Sequence, residues 1–341
     1  MRSSLPSNRL LPAVALVAAV ALSSCSSGPA SGAASPTGSG ATSSTAARST
    51  TAAATTSAAS TPTSAPIPVT AAFYPLEYLL TEIGGPHVTV TTLTKPGVEP
   101  HDLELTPQDV AGLSKAKLVV TLKGFQPAVD AATAQQAPTT TYDVAPAAAL
   151  DLAAPEHDHE GGDTHGQEAK DPHFWLDPDR YTRVGYAVTE RLVQIDPANA
   201  ATYRQRADAF AASLTALDTS FTTGTTTCAN RKLVTSHAAF GYLARKYSFT
   251  QVPIAGLSPE QEPTAKQLAA VATVVKDSKA TTIYAETLVD PKFAQTVATS
   301  TGATIAVLDP IEGITTSSAG KDYREVMQAN LTALRAGQGC Q

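Results

Sequence analysis

Three histidines in this chain stand where a metal ligand would be of use. Asp171-Pro172-His173-Phe174-Trp175-Leu176-Asp177-Pro178 sets one beside the chain's single tryptophan, between prolines that restrict the backbone. His101 follows Lys95-Pro96-Gly97-Val98-Glu99-Pro100, just after a stretch that reads as a strand ending near Leu93. His237 follows Leu233-Val234-Thr235-Ser236, again strand-like. In open α/β sheets ligands bind in the crevice at the carboxyl ends of the strands, so residues at separate strand ends can converge there. Asp309, after Ile305-Ala306-Val307-Leu308, and Glu286, after Ile283-Tyr284-Ala285, occupy matching places. His101, His173 and His237 with one carboxylate make a tetrahedral shell suited to Zn²⁺, whereas Mg²⁺ or Ca²⁺ would call for oxygens. Asp309 is expected as the fourth ligand, and Glu286 as a support behind a ligand or the start of a helix.

The other four histidines differ in kind. His87, in Gly84-Gly85-Pro86-His87, lies in a turn and is expected on the surface. His157, His159 and His165 are scattered through Glu156-His157-Asp158-His159-Glu160-Gly161-Gly162-Asp163-Thr164-His165. That composition predicts a mobile loop over 156–168 that holds Zn²⁺ weakly, or a solvated acidic loop that binds nothing useful.

The elements that must position the three fixed histidines can be read from pattern. Val88–Leu93, Leu118–Leu122, Lys232–Thr235, Thr281–Ala285 and Thr304–Leu308 read as strands. Thr106–Ser114 (with Pro107 in its first turn), Ala238–Tyr247 and Pro263–Asp277 read as helices. Alternation of this sort predicts an α/β fold with mainly parallel sheets and crossover helices. Its length, from about Ile67 to the end, suits two lobes. Between them, 198–222 carries Tyr203, Phe210, Leu214 and Leu217 at helical spacing and reads as one long connecting helix. The lobes are then 67–197 and 223–341.

Before the lobes, Arg2 and Arg9 precede an apolar run, Leu10–Leu22, that ends in Leu22-Ser23-Ser24-Cys25. The run is short for a membrane span and has the layout of an export signal, 1–25. Residues 26–66 are almost wholly Ser, Thr, Ala, Gly and Pro, with Arg48 the one charge, so they are expected to form a disordered tether with a mean reach of about 35 Å. Export favours oxidation of the two remaining cysteines, Cys228 and Cys340, which are expected to pair. The formal net charge of −6 gives only weak attraction for cations, and nothing suggests nucleic-acid binding.

Taken in order, these pieces resemble a known family. Phe73-Tyr74-Pro75-Leu76, Ile83-Gly84-Gly85, Pro100-His101-Asp102, Leu105-Thr106-Pro107, the Asp171–Pro178 segment, Asp196-Pro197-Ala198-Asn199, Ser236-His237-Ala238-Ala239-Phe240-Gly241-Tyr242-Leu243, Gly256-Leu257-Ser258-Pro259-Glu260 and Asp309-Pro310 are similar to the metal-receptor subunits of bacterial ABC importers for zinc or manganese. Leu22-Ser23-Ser24-Cys25 resembles the lipobox of bacterial lipoproteins, which implies acylation of Cys25 and attachment to the outer face of the cytoplasmic membrane. The resemblance implies two lobes with the metal in the cleft between them, His101, His173 and His237 as ligands, and Asp309 at the position of a late aspartate that water or another carboxylate can replace. It implies Zn²⁺ rather than Mn²⁺, since histidine at the position of His237 goes with zinc. It further implies a monomer that is not an enzyme and that delivers its ion to a permease. A manganese receptor, a metal-dependent surface adhesin and a zinc hydrolase stay open as alternatives.

Overall fold

The computed structural model describes residues 65–153, 170–260 and 262–341. Cys25, most of the expected tether, and His157, His159 and His165 lie outside the described residues.

Two four-stranded sheets, each wholly parallel, organise the chain. The first comprises β1 (Ile67–Ala71), β2 (Val88–Thr92), β3 (Leu118–Thr121) and β4 (Thr141–Asp143) in the order β2-β1-β3-β4. The second comprises β5 (Lys232–Thr235), β6 (Thr250–Pro253), β7 (Thr282–Ala285) and β8 (Thr304–Val307) in the order β6-β5-β7-β8. The two orders are the same, and in each the chain reverses direction across the sheet between the two central strands. Central β3 and β7 are buried along their whole length, as a strand covered on both faces requires.

Helices α1 (Tyr74–Gly84), α2 (Pro107–Leu113), α3 (Pro127–Gln136) and α4 (Ala145–Ala148) belong with the first sheet; α7 (Gly241–Lys246), α8 (Ala265–Asp277), α9 (Lys292–Thr301) and the terminal α10 (Tyr323–Gly337) follow the second. Their limits follow from side-chain chemistry. Thr106 caps α2 by accepting from Asp109 N, and the Asp109 carboxylate accepts from Thr106 N in return, with Pro107 at the first helical position. Thr264 and Gln267 form the same reciprocal cap on α8.

Between the sheets lie α5 (Pro178–Ile195) and α6 (Ala200–Thr225). At 26 residues α6 runs about 39 Å and buries Tyr203, Ala207, Phe210, Leu214, Leu217 and Phe221 on one stripe. It begins two residues later and ends three later than the pattern predicts. α5, which the sequence analysis does not name as an element, packs along it.

One apolar core crosses the whole described molecule. It joins Val69, Val119 and Trp175 to Phe210, Leu233, Leu308, Ile311 and Tyr323 without a break, while a smaller cluster around Val234, Val271 and Ile283 fills the far side of the second sheet. A disulfide links Cys228 to Cys340 and fastens the end of α6 to the end of the chain.

Two expectations need correction. His87 is not a surface residue: it is 6% exposed, because the short turn that holds it leads straight into β2 beneath α6, where its ring meets Tyr203 edge-on at 5.9 Å. The helix expected over Ala238–Tyr247 starts only at Gly241. Residues 236–240 instead form a loop in which Ala238 N donates to Gly256 O, and Gln251 Nε2 donates to His237 O.

Candidate metal centre

His101, His173, His237 and Glu312 converge, with one potential ligand atom from each within 4.8 Å of all the others. The two halves of the chain contribute two residues apiece. His101 ends the loop that leaves β2, and Glu99 shapes that loop: its Oε2 accepts from His101 N at 2.9 Å and from Asp102 N at 3.3 Å. His173 begins a single helical turn, Phe174–Leu176, that is fully buried. Trp175 Nε1 donates to Pro310 O at 2.7 Å and Tyr323 Oη donates to Trp175 O at 2.5 Å, so this turn is bolted to the second half. His237 sits two residues beyond β5, at the carboxyl edge next to β7, where the strand order of the second sheet reverses.

Glu312 comes from the loop after β8, and one oxygen of it serves all three rings. His101 Nε2, His173 Nε2 and His237 Nε2 lie 3.1, 2.9 and 3.5 Å from Glu312 Oε1. The opposite edges of two rings are held by further carboxylates. Asp171 Oδ1 is 2.8 Å from His173 Nδ1 and also accepts from His173 N; Glu286 Oε2 is 2.6 Å from His237 Nδ1, and Glu286 Oε1 accepts from His237 N. A carboxylate on Nδ1 fixes ring orientation and leaves Nε2 for a metal. Glu286 thus has the supporting place expected of it.

Asp309 does not join the cluster. Its Oδ1 accepts from Ile311 N at 2.8 Å and its Oδ2 from Thr287 Oγ1 at 3.0 Å, while its backbone exchanges bonds with the Asn330 amide. These bonds close the turn Asp309-Pro310-Ile311-Glu312, in which Ile311 takes a left-handed φ of 59°. A β-branched residue rarely adopts that conformation, at a cost of about 1–3 kcal/mol that the surrounding bonds must offset. The turn carries the chain past Asp309 and aims the next carboxylate, Glu312, at the histidines. Asp309 is the first acid after the strand, and Glu312, followed by Gly313 in the same strand-end loop, is the second.

The site is nearly sealed and electrostatically tight. His173, His237 and Glu312 side chains are 0% exposed, and His101 is 9% exposed. Burial opposes ionisation of Glu312, but hydrogen bonds to His101 and His173 and the neighbouring His237 ring outweigh it and hold its carboxyl well below the usual range. Burial likewise opposes protonation of His173 and His237, yet Asp171, Glu286 and Glu312 raise both above the ordinary imidazole value. For His101 burial wins and lowers it. Burial, followed by the nearby Glu312, pushes Glu99 up to about 8, and burial takes Asp309 to about 6. Three rings with centroids 5.3–5.9 Å apart cannot all be cations, so this nest of carboxylates suits one concentrated positive charge. His237 Nε2 and Glu312 Oε2 are buried without a hydrogen-bond partner, which a cation would supply.

Comparison with known proteins follows the same lines. Residues 69–337 match the family model for the periplasmic zinc-uptake complex component A, ZnuA. The chain is 34% identical over 274 residues to the high-affinity zinc uptake system protein ZnuA of Bacillus subtilis, covering 78% of this chain and 86% of that one. It is 32% identical over 281 residues to the zinc-binding lipoprotein AdcA of Streptococcus pneumoniae, but spans only 55% of that relative's length. Among solved structures, the laminin-binding protein Lmb of Streptococcus agalactiae, described as bifunctional with adhesin and metal-transporting activity, superposes with a TM-score of 0.71 at 28% identity, over 80% of this chain and 99% of that one.

Proposed function

Since the chain belongs to the periplasmic zinc-uptake component A family, we propose that it is an extracytoplasmic receptor that captures Zn²⁺ with His101, His173, His237 and Glu312 and delivers it to a membrane permease for import. The observation that carries this reading is the approach of three imidazole Nε2 atoms to one carboxylate oxygen, with two of the rings braced from behind by Asp171 and Glu286. Zinc takes four nitrogen or oxygen ligands tetrahedrally, and three imidazoles make the set softer than one with two carboxylates, which favours zinc over manganese.

Binding needs neutral imidazoles, so capture competes with protons at His173 and His237, whose hold on them the neighbouring carboxylates strengthen. Asp309 is assigned the work of holding the Glu312 turn rather than the ion. A hydrolytic zinc keeps a fourth position open for water, and Glu312 fills that position here, which supports a receptor over an enzyme. The family's periplasmic setting and the lipoprotein relative support a lipid anchor at Cys25, with a monomeric folded part on its tether. The loop with His157, His159 and His165 serves as an accessory collector of Zn²⁺.

The test is calorimetric titration of the protein with Zn²⁺ and Mn²⁺, beside the His173→Ala variant. One Zn²⁺ bound tightly, lost in the variant and preferred to Mn²⁺, is expected. Equal binding by the variant would place the ion elsewhere.

A further inference from the structure

Resting on the zinc-receptor reading, we propose that Tyr242 is a positioning residue for the ion: its hydroxyl, in the second half of the chain, fixes the segment that holds Asp171, and through Asp171 the ring of His173. The links are short. Tyr242 Oη accepts from Asp151 N at 3.2 Å and from Leu152 N at 3.4 Å. Leu152 O accepts from Asp171 N at 2.9 Å, and Ala153 pairs with Lys170 in an antiparallel bridge. Asp171 Oδ1 then accepts from His173 N at 2.9 Å and lies 2.8 Å from His173 Nδ1.

Asp151 and Leu152 belong to no strand, and one phenol oxygen takes both of their N–H groups in place of a ladder. The phenol itself is fixed. Tyr242 is fully buried, with the Arg180 guanidinium 4.3 Å from the centre of its ring and that of Arg245 at 5.4 Å. Both guanidiniums donate to Asp151 Oδ1 at 2.8 Å, so the segment is gripped by side chain and backbone at once. Removing the phenol oxygen leaves two N–H groups without their acceptor. A lost partner costs more than the bond contributes, so the segment shifts to satisfy them and carries Asp171 with it.

The arrangement ties a ligand of one half to a helix of the other. α7 begins at Gly241, four residues after His237, and its first turn seats against the brace of His173: the space a methyl would need at Gly241 is occupied by Asp171 Oδ2 and Leu152 Cδ1. A displacement of α7 therefore reaches His237 along the chain and His173 by way of Tyr242. Loss of a group that orients a metal ligand weakens binding by about 10–100-fold, and Tyr242, acting one link behind Asp171, falls at the lower end of that range.

The test uses the full chain and Tyr242→Phe, which keeps the ring between its guanidiniums and removes only the oxygen. Two results are expected: about tenfold weaker Zn²⁺ binding by competition against a chelator, and faster solvent exchange of the downfield His173 Nδ1–H proton in spectra of the metal-free protein. That proton is assigned by its absence from Asp171→Asn. Added to Asp171→Asn, Tyr242→Phe should weaken binding little further, because both act on the same ring. Undiminished affinity in a Tyr242→Phe protein that only unfolds at a lower temperature would overturn the proposal, as would an unchanged proton signal or losses that add fully in the double variant. Should Tyr242→Phe fail to fold, Arg245→Met removes one grip on Asp151 from a side chain that is 45% exposed; about threefold weaker binding and the same faster exchange are then expected, and no change in either would overturn the proposal. A wild-type protein that binds no Zn²⁺ would remove the receptor reading, while the proton signal would still report on the link from Tyr242 to His173.

Discussion

Replacing Glu312 by Gln tests the site most directly, because it keeps shape and volume and removes one charge. In the proposed site the ion's two positive charges would face Glu312, with Asp171 and Glu286 behind the rings of His173 and His237. Glu312→Gln leaves a buried charge without its nearest counter-charge, and breaking a buried pair in this way costs about 3–5 kcal/mol. At about 1.4 kcal/mol per decade that is a loss of two to four decades in Zn²⁺ affinity. Asp309→Asn provides the contrast. It disturbs the bonds to Ile311 N and Thr287 that close the turn, so its cost reaches the ion only through misplacement of Glu312, about tenfold. Both values are read by competition against a chelator of known affinity, with thermal unfolding to confirm that each variant is folded. If Asp309→Asn abolished binding while Glu312→Gln stayed within tenfold of wild type, the ligand assignment would be wrong and the late aspartate would be the true fourth ligand.

Other consequences can be checked as simply. Because neighbouring carboxylates raise His173 and His237 above the ordinary imidazole value of about 6.5, protons should compete with Zn²⁺ already above that pH and affinity should fall further as pH drops through it; a profile flat across that range would exclude imidazole ligands. A methyl group added at Gly241 would stand 2.5 Å from Asp171 Oδ2, so Gly241→Ala should turn His173 and weaken Zn²⁺ by about tenfold, and calorimetry showing undiminished affinity would refute the role given to Asp171. Reduction of the Cys228–Cys340 bond, which spans 112 residues of sequence, should lower unfolding stability by up to about 4–5 kcal/mol in denaturant titration while leaving Zn²⁺ affinity nearly unchanged, since the bond lies at the end of α6 and away from the histidines.

The parts legible in sequence were those set by local chemistry. Parallel strands announced themselves as short apolar runs, α2 by its Thr106 cap and Pro107, and α6 by the spacing of its aromatic and leucine residues. His101, His173 and His237 could be found because each follows a strand or sits among prolines. What escaped depended on three-dimensional closure. Nothing local says that Ile311 will adopt a left-handed backbone in the turn between Asp309 and Glu312, or that Asp309 will be held by Ile311 N and Thr287. His87 was misplaced for a similar reason: its burial comes from Tyr203, more than a hundred residues away in sequence.

The unbroken core beneath the site bears on how occupancy could be read from outside. Trp175, Tyr323 and Ile311 knit the two halves under the histidines, so filling the site leaves little room for the halves to swing. A full and an empty molecule would present nearly the same outline. What differs is two units of positive charge behind the one partly open wall, at His101 and Glu99. A partner that sorts loaded from unloaded copies would then have to feel that local electric field rather than a change of silhouette.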